Sequence, residues 1–505
     1  MARRLTRYGW TLALALVGGG ARAAPTPAPG CSPPPPSLVG DVAPGTASSA
    51  PEVPGFVRLG GTTYFVANDG EHGDELWKTD GTPAGTGMVW DINPFGDARP
   101  RHLTVLGGRL LFYANDGTIG AELWRSDGTA AGTVLVREIG EGIESGGITE
   151  MVTMGGKAWF IAADHEAGPE LWVTDGTFRG TTRVTDLSPG IQGSLRPGTL
   201  RVVGNTLYFS ATRNAGIDYE LWKSDGTTAG TVLVKEIAPG QEYPDANIGR
   251  MTVVGSTLFF TANTGFASDE LWKTDGTEAG TVRVKDLFGG RSHPAPQSLT
   301  AAGGKLFFRL DDEVHGSELW VSDGTPEGTR MVADLRPGFD GSEPESFVDL
   351  AGVLYFTADD GLTGRELWRS DGTAGGTRRV KDIAPGRAGS PPQELTAAGG
   401  WLFFAADDGT GSRLWRSDGT AEGTRPVESS ATAPESLAQV AGALYYFAGE
   451  ASTGREPYVV LPASGDCTPP PGEGCGCTSG FTADTPWLLL GALVPWLARR
   501  RRSSR

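Results

Sequence analysis

Eight tryptophans recur along the chain at nearly constant spacing. They are Trp77, Trp124, Trp172, Trp222, Trp272, Trp320, Trp368 and Trp415, separated by 47, 48, 50, 50, 48, 48 and 47 residues. Each sits in the pattern Glu-Leu-Trp-x-Ser/Thr-Asp-Gly-Thr-x-x-Gly-Thr. Only the last copy breaks the glutamate, with Arg413 before Leu414 and Trp415. A period this regular signals tandem supersecondary units that pack mainly on their neighbours, which is how 505 residues escape the size limit of a single core.

Each unit predicts four short strands. In the seventh they are Ser346–Leu350, Val353–Ala358, Glu366–Ser370 and Arg378–Ile383, here named a to d, joined by turns too short for anything but antiparallel neighbours. Runs such as Leu306-Phe307-Phe308 and Leu402-Phe403-Phe404 are apolar at consecutive positions, as in a strand buried on both faces. The expectation is therefore all-β: a β-propeller of four-stranded antiparallel blades. Full units begin near residues 56, 102, 149, 199, 250, 298, 346 and 394. Leu437 to Val460 then supplies three strands and no fourth. The missing strand stands at the other end, where Leu38-Val39-Gly40-Asp41-Val42-Ala43-Pro44-Gly45 matches Val380-Lys381-Asp382-Ile383-Ala384-Pro385-Gly386. Pairing of the terminal strands closes nine blades, with eight the alternative count, and removes the free edges.

The repeat resembles the bacterial ELWxxDGT repeat family over residues 40–465, which implies an exported repeat protein and no particular chemistry. The Asp-Gly-Thr element looks like the Asp-box of sialidase-type propellers, although the hydroxyl residue here adjoins the aspartate.

The ends read as addresses. Residues 1–23 form a signal peptide, with Arg3, Arg4 and Arg7 before an apolar stretch and Ala21-Arg22-Ala23 as cleavage site. Residues 24–36 are a Pro-rich linker, 37–462 the repeat domain and 463–480 a Cys/Pro/Gly-rich linker. Residues 481–505 are an apolar tail ending in Arg499 to Arg502. With Gly474-Cys475-Gly476-Cys477 before it, this order resembles the myxobacterial C-terminal sorting tail (MYXO-CTERM type). The resemblance implies processing by a sorting machinery and attachment at the outer cell surface, through the tail or a lipid on Cys475 or Cys477; a plain membrane anchor is the alternative. Cys31 and Cys467 flank the repeats and are the candidate disulfide.

The ends hold nine arginines and no acid, so the remainder, with 34 basic and 60 acidic residues, carries −26 against −17 overall. Such a surface repels phosphates and sets nucleic acid aside as a partner.

The recurring Asp80, Asp127, Asp175, Asp225, Asp275, Asp323, Asp371 and Asp418 read as turn residues, and the eight tryptophans as blade core. The Glu of each Glu-Leu-Trp is expected to pair with the next blade's Lys or Arg or to cap backbone. Asp69, Asp116, Asp312, Asp360 and Asp408, in glycine-bearing turns between strands b and c, are weak calcium candidates; otherwise no cofactor is implied. The five histidines form no His-Glu-x-x-His pair, and no Gly-x-Ser-x-Gly elbow is present. One blade with unpatterned acidic or Arg residues pointing to the channel would favour a catalytic propeller; near-identical blades favour a scaffold. The expectation is a non-enzymatic surface protein, binding or adhering to a protein or polysaccharide through its loop-rich face. A polysaccharide hydrolase or lyase and a calcium-dependent adhesive element are the alternatives.

If the N-terminal reading holds, mass spectrometry of the native protein finds Ala24 as the first residue; retention of residues 1–23 on the exported chain refutes it.

Overall fold

The computed structural model describes residues 32–463 except 215–216, 240–244, 265–268, 288–293 and 387–390. Cys31, Cys467, Cys475, Cys477 and both address segments lie outside the described residues.

Nine four-stranded antiparallel sheets follow one another along the chain. In the seventh, Glu345–Leu350, Val353–Asp359, Arg365–Ser370 and Arg378–Lys381 run from inside to outside. The first strands of successive sheets lie against each other, which places strand a of every blade around the centre of a propeller.

Period-two geometry explains why each blade needs two neighbours. Leu76 faces blade 2 while Trp77 faces blade 9. Leu123 and Trp124 divide in the same way between blades 3 and 1. The buried side chains accordingly gather into nine clusters, one at each junction. Phe65, Phe112, Phe160, Phe209, Phe260, Phe308, Phe356 and Phe404, each opposite a repeat tryptophan, are fully buried. Each contributes about 1.5–3 kcal/mol by burial.

The ninth blade is made from both ends of the domain. Thr432–Val440, Ala443–Glu450 and Gly454–Val460 pair in order, and Ser37–Leu38 completes the sheet, with Ser37 opposite Val459 and Leu38 opposite Tyr458. Val39 then donates its N–H to the Pro457 carbonyl. The buried Glu456 carboxylate accepts the Val42 N–H at 2.8 Å and the Ala43 N–H at 3.3 Å. Across the closing junction, Phe56 and Phe65 pack with Tyr445 and Phe447. The ninth strand a starts five residues before the expected Leu437 and carries two register shifts. Pro434 within it hides the strand from a propensity reading, and an innermost strand has the free edge that proline needs.

Strand a is bulged in six blades. The register slips next to His102, Arg250, Ser298, Ser346, Glu394 and Ser436, which take φ values of 42–59°. Such bulges re-aim the side chains that follow the d–a loop.

Both described ends lie on the face of the c–d hairpins. Ser32 accepts hydrogen bonds from Arg416 and Arg425, which flank the hairpin of blade 8, and Pro462 sits beside the a–b turn at Gly399. The d–a and b–c loops crowd together on the opposite face. A Cβ on Gly73 would stand 2.9 Å from the Gly96 carbonyl oxygen, and one on Gly120 the same distance from that of Glu144.

Glu456→Ala strands two buried donors at the seam. The expected cost is on the order of 1–3 kcal/mol per donor, read by urea unfolding. A change under about 0.5 kcal/mol, the range of ordinary surface substitutions, refutes the seam's role.

Candidate functional site

The recurring polar residues are spent on the fold. In all eight Asp-Gly-Thr turns one aspartate oxygen accepts the N–H of the threonine two residues on, at 2.8–3.0 Å, and its hydroxyl at 2.7–2.8 Å. That hydroxyl in turn accepts the N–H of the following glycine. The glycine is required, because a Cβ on Gly85 would lie 2.2 Å from the Asp80 carboxyl. Hydrogen bonds from Thr82 and Thr129 hold the Asp80 and Asp127 carboxyls below the usual range. Trp320 is half-buried and the other seven repeat tryptophans are buried among the junction clusters.

The repeat glutamates cap backbone within their own blade. Glu75 accepts the N–H groups of Ile92 and Asn93, Glu122 those of Ile139 and Gly140, and Glu220 those of Ile237 and Ala238. Glu318 holds Arg336 and Ser342, while Glu170 takes the hydroxyls of Thr185 and Ser194. Each thereby anchors the start of its d–a loop. The neighbouring cations take a different partner from the one expected. Lys78, Arg125, Lys223, Lys273 and Arg369 donate to the hairpin glycine carbonyl of the next blade. Burial pushes Glu75 and Glu220 up to about 8, and Glu122 and Glu456 up to about 7, against the hydrogen bonds that oppose it.

The calcium candidates close their own turns. Asp69 accepts the N–H groups of Glu71 and His72, Asp312 those of Val314 and His315, and each also contacts the histidine ring. Asp116, Asp360 and Asp408 bind the Thr118, Thr363 and Thr410 groups of their loops. Among the described residues no three His, Cys, Asp or Glu side chains gather as a metal site.

What remains is what does not repeat. The residue of strand b opposite the Glu-Leu-Trp leucine is Val66, Tyr113, Ile161, Ser210, Thr261, Thr357 or Ala405, and Phe447 stands opposite Pro457 in blade 9. In blade 6 it is Arg309. Its side chain, 19% exposed, reaches the junction with blade 7, where one guanidinium nitrogen lies 2.8 Å from Glu343 and 3.3 Å from Glu345. The other donates to Gln297 at 2.6 Å. A cavity of about 150 Å³ opens here, lined by Pro294, Gln297, Arg309, Asp311, Ser317 and Glu343 among others. Arg365, at the start of the next strand c, donates to the Glu343 carbonyl at 2.6 Å and stands 3.7 Å from Glu345. Three carboxylates and two guanidinium groups thus meet at this junction, against smaller sets elsewhere among the described residues, such as Arg196 with Asp245 at 3.3 Å. The sequence shows Arg309 as a charge inside Leu306-Phe307-Phe308-Arg309-Leu310; aligning the b strands, rather than the tryptophans, is what singles it out.

No protein family and no curated relative matches the sequence. Among solved structures, the chain is similar to a puromycin hydrolase (14% identity, TM-score 0.37, covering 73% of this chain and 60% of that one). It is also similar to a prolyl endopeptidase (13%, 0.39, 75% and 53%) and to a puromycin-hydrolyzing peptidase of Mycobacterium tuberculosis (12%, 0.35, 70% and 57%). The chain spans between half and two thirds of those proteins' length, and likeness at this level transfers no activity. The expectation of a non-enzymatic adhesion scaffold is nevertheless corrected, because the near-identity of blades on which it rested fails at blade 6; the similar solved structures named above are hydrolases and not adhesion scaffolds.

The buried glutamates fix a pH dependence. Their folded-state values lie above the unfolded 4.5, so the stability they hold is complete below about 4.5 and is lost as pH rises through 7 to 8. The turn aspartates act oppositely, losing stability as pH falls below their unfolded 3.8. The midpoint of thermal unfolding is expected to be highest near pH 5 and lower at pH 8.5; a midpoint that rises steadily from pH 5 to 8.5 contradicts this assignment.

Proposed function

We propose that this chain is a substrate-handling propeller that captures cationic segments of polypeptide at one place, the junction of blades 6 and 7. The observation that carries this reading is Arg309: a charge at a position otherwise neutral, holding Glu343 and Glu345 at the edge of a cavity. Those carboxylates keep about half of their side-chain surface in solvent, at 46% and 53% exposed. With Asp311 they outnumber Arg309 and Arg365, so an amine or guanidinium finds acceptors there and a free carboxylate meets repulsion. The net −26 between the two ends steers cations towards the molecule.

The address readings support an extracellular setting. We propose that the protein is exported and held at the outer cell surface by its processed tail, where the ligand is an extracellular polypeptide.

The mature protein is titrated with fluorescein-labelled tetralysine and with its fully acetylated form, by fluorescence anisotropy. Tetralysine is expected to bind, more weakly as salt rises, and the acetylated peptide at least tenfold less well. Glu343→Gln with Glu345→Gln is expected to weaken tetralysine at least tenfold while the unfolding midpoint stays within a few degrees. Equal binding of both peptides, or an indifferent double variant, overturns the reading.

A further inference from the structure

The same junction carries an apolar rim. Val314 is 62% exposed, Phe339 83% and Leu362 73%. They stand on three different segments: the b–c loop of blade 6, the d–a loop between blades 6 and 7, and the b–c loop of blade 7. The segments are tied together. Gly316 lies against the Phe339 backbone so closely that a Cβ on it would fall 2.4 Å from the Phe339 carbonyl oxygen. Arg336 bridges Asp340 at 2.9 Å and Asp359 at 3.4 Å, and its side chain covers Gly361. Three large apolar side chains are thus presented on loops whose backbones are fixed by packing and ion pairs.

Elsewhere on this face, among the described residues, the exposed apolar tips stand singly or in pairs. Phe95 and Ile143 occupy the equivalent d–a loops of blades 1 and 2, and Ile191 shares its junction with Ile217. Among the described residues no other junction gathers three. Scattered apolar residues on a surface need no explanation, whereas a cluster beside a polar cavity does.

Resting on the reading of the Arg309 cavity as a cation site, we infer that the ligand is an amphipathic polypeptide segment, with a cationic residue held at Glu343 and Glu345 and a large apolar residue on the Val314–Phe339–Leu362 rim. Phe339 and Glu343 are four residues apart, so their backbones are separated by at most about 14 Å. An extended ligand bridges that span within about four residues. Charge selects the occupant: the rim adjoins an acidic cavity on an acidic molecule, which repels a second copy of this chain and favours a basic partner.

Two labelled peptides decide the matter on the mature protein: Lys-Lys-Ala-Ala-Leu-Phe and Lys-Lys-Ala-Ala-Ser-Ser. The first is expected to bind at least tenfold tighter. Phe339→Ser with Leu362→Ser, both at exposed positions, is expected to shrink that gap below about twofold and to leave the affinity for the second peptide unchanged. Equal binding of the two peptides to the unsubstituted protein, or a gap that survives the double variant, overturns the rim while the cation site stands. Failure of both peptides to bind overturns the rim together with the cation site. Sedimentation of the mature protein supplies the remaining outcome: a dimer that the double variant dissolves assigns the rim to a second copy and overturns the inference.

Discussion

A sheet that buries both faces has no natural end. Eight blades here present leucine to one neighbour and tryptophan to the other, and the ninth is apolar on both faces as well, so any terminal blade leaves an apolar wall in water. Repeat arrays usually meet this with polar caps. This chain meets it by returning to its start, and the cost falls on a single seam: two residues of strand, one carbonyl acceptor at Pro457, and the Glu456 carboxylate gripping Val42 and Ala43. Glu456 occupies the place that in blades such as 1, 2, 4, 6 and 7 anchors the chain running on from strand d. A device that elsewhere shapes a local loop therefore closes the whole ring across more than 400 residues of chain.

The architecture was legible because its signals repeat. Eight copies of one motif fix the turn chemistry, and the match of Leu38–Gly45 to Val380–Gly386 reveals the shared ninth blade. Boundaries drifted where local chemistry departs from the average. Pro434 concealed the start of the last inner strand, and the bulges at residues such as Ser346 cannot be read from residues that lack glycine. The repeat glutamates were read as partners for cations or backbone; inside the blade Glu75, Glu122 and Glu220 each meet two backbone N–H donors at once, while Glu170 meets two hydroxyls instead.

The site was illegible for the same reason that the fold was clear. Attention to what recurs averages away what does not, and Arg309 is invisible in a consensus. Its physical distinction is that a guanidinium at a position built for Val, Ile, Ser or Thr must bring its own counter-charges. Glu343 arrives from the d–a loop and Glu345 from the first residue of the next blade's bulged inner strand. In a molecule whose repeating polar groups are already paired, chemistry is available only at such exceptions.

The ends of the described chain add a direction to this picture. Ser32 is pinned beside the blade 8 hairpin, and Pro462 lies by the adjoining a–b turn, so both described ends lie on one side of the disc. Were a tether attached at either end, as proposed above, the disc would lie like a plate on its base, with the hairpins nearer the support and the basin at Arg309 on the side turned away from it.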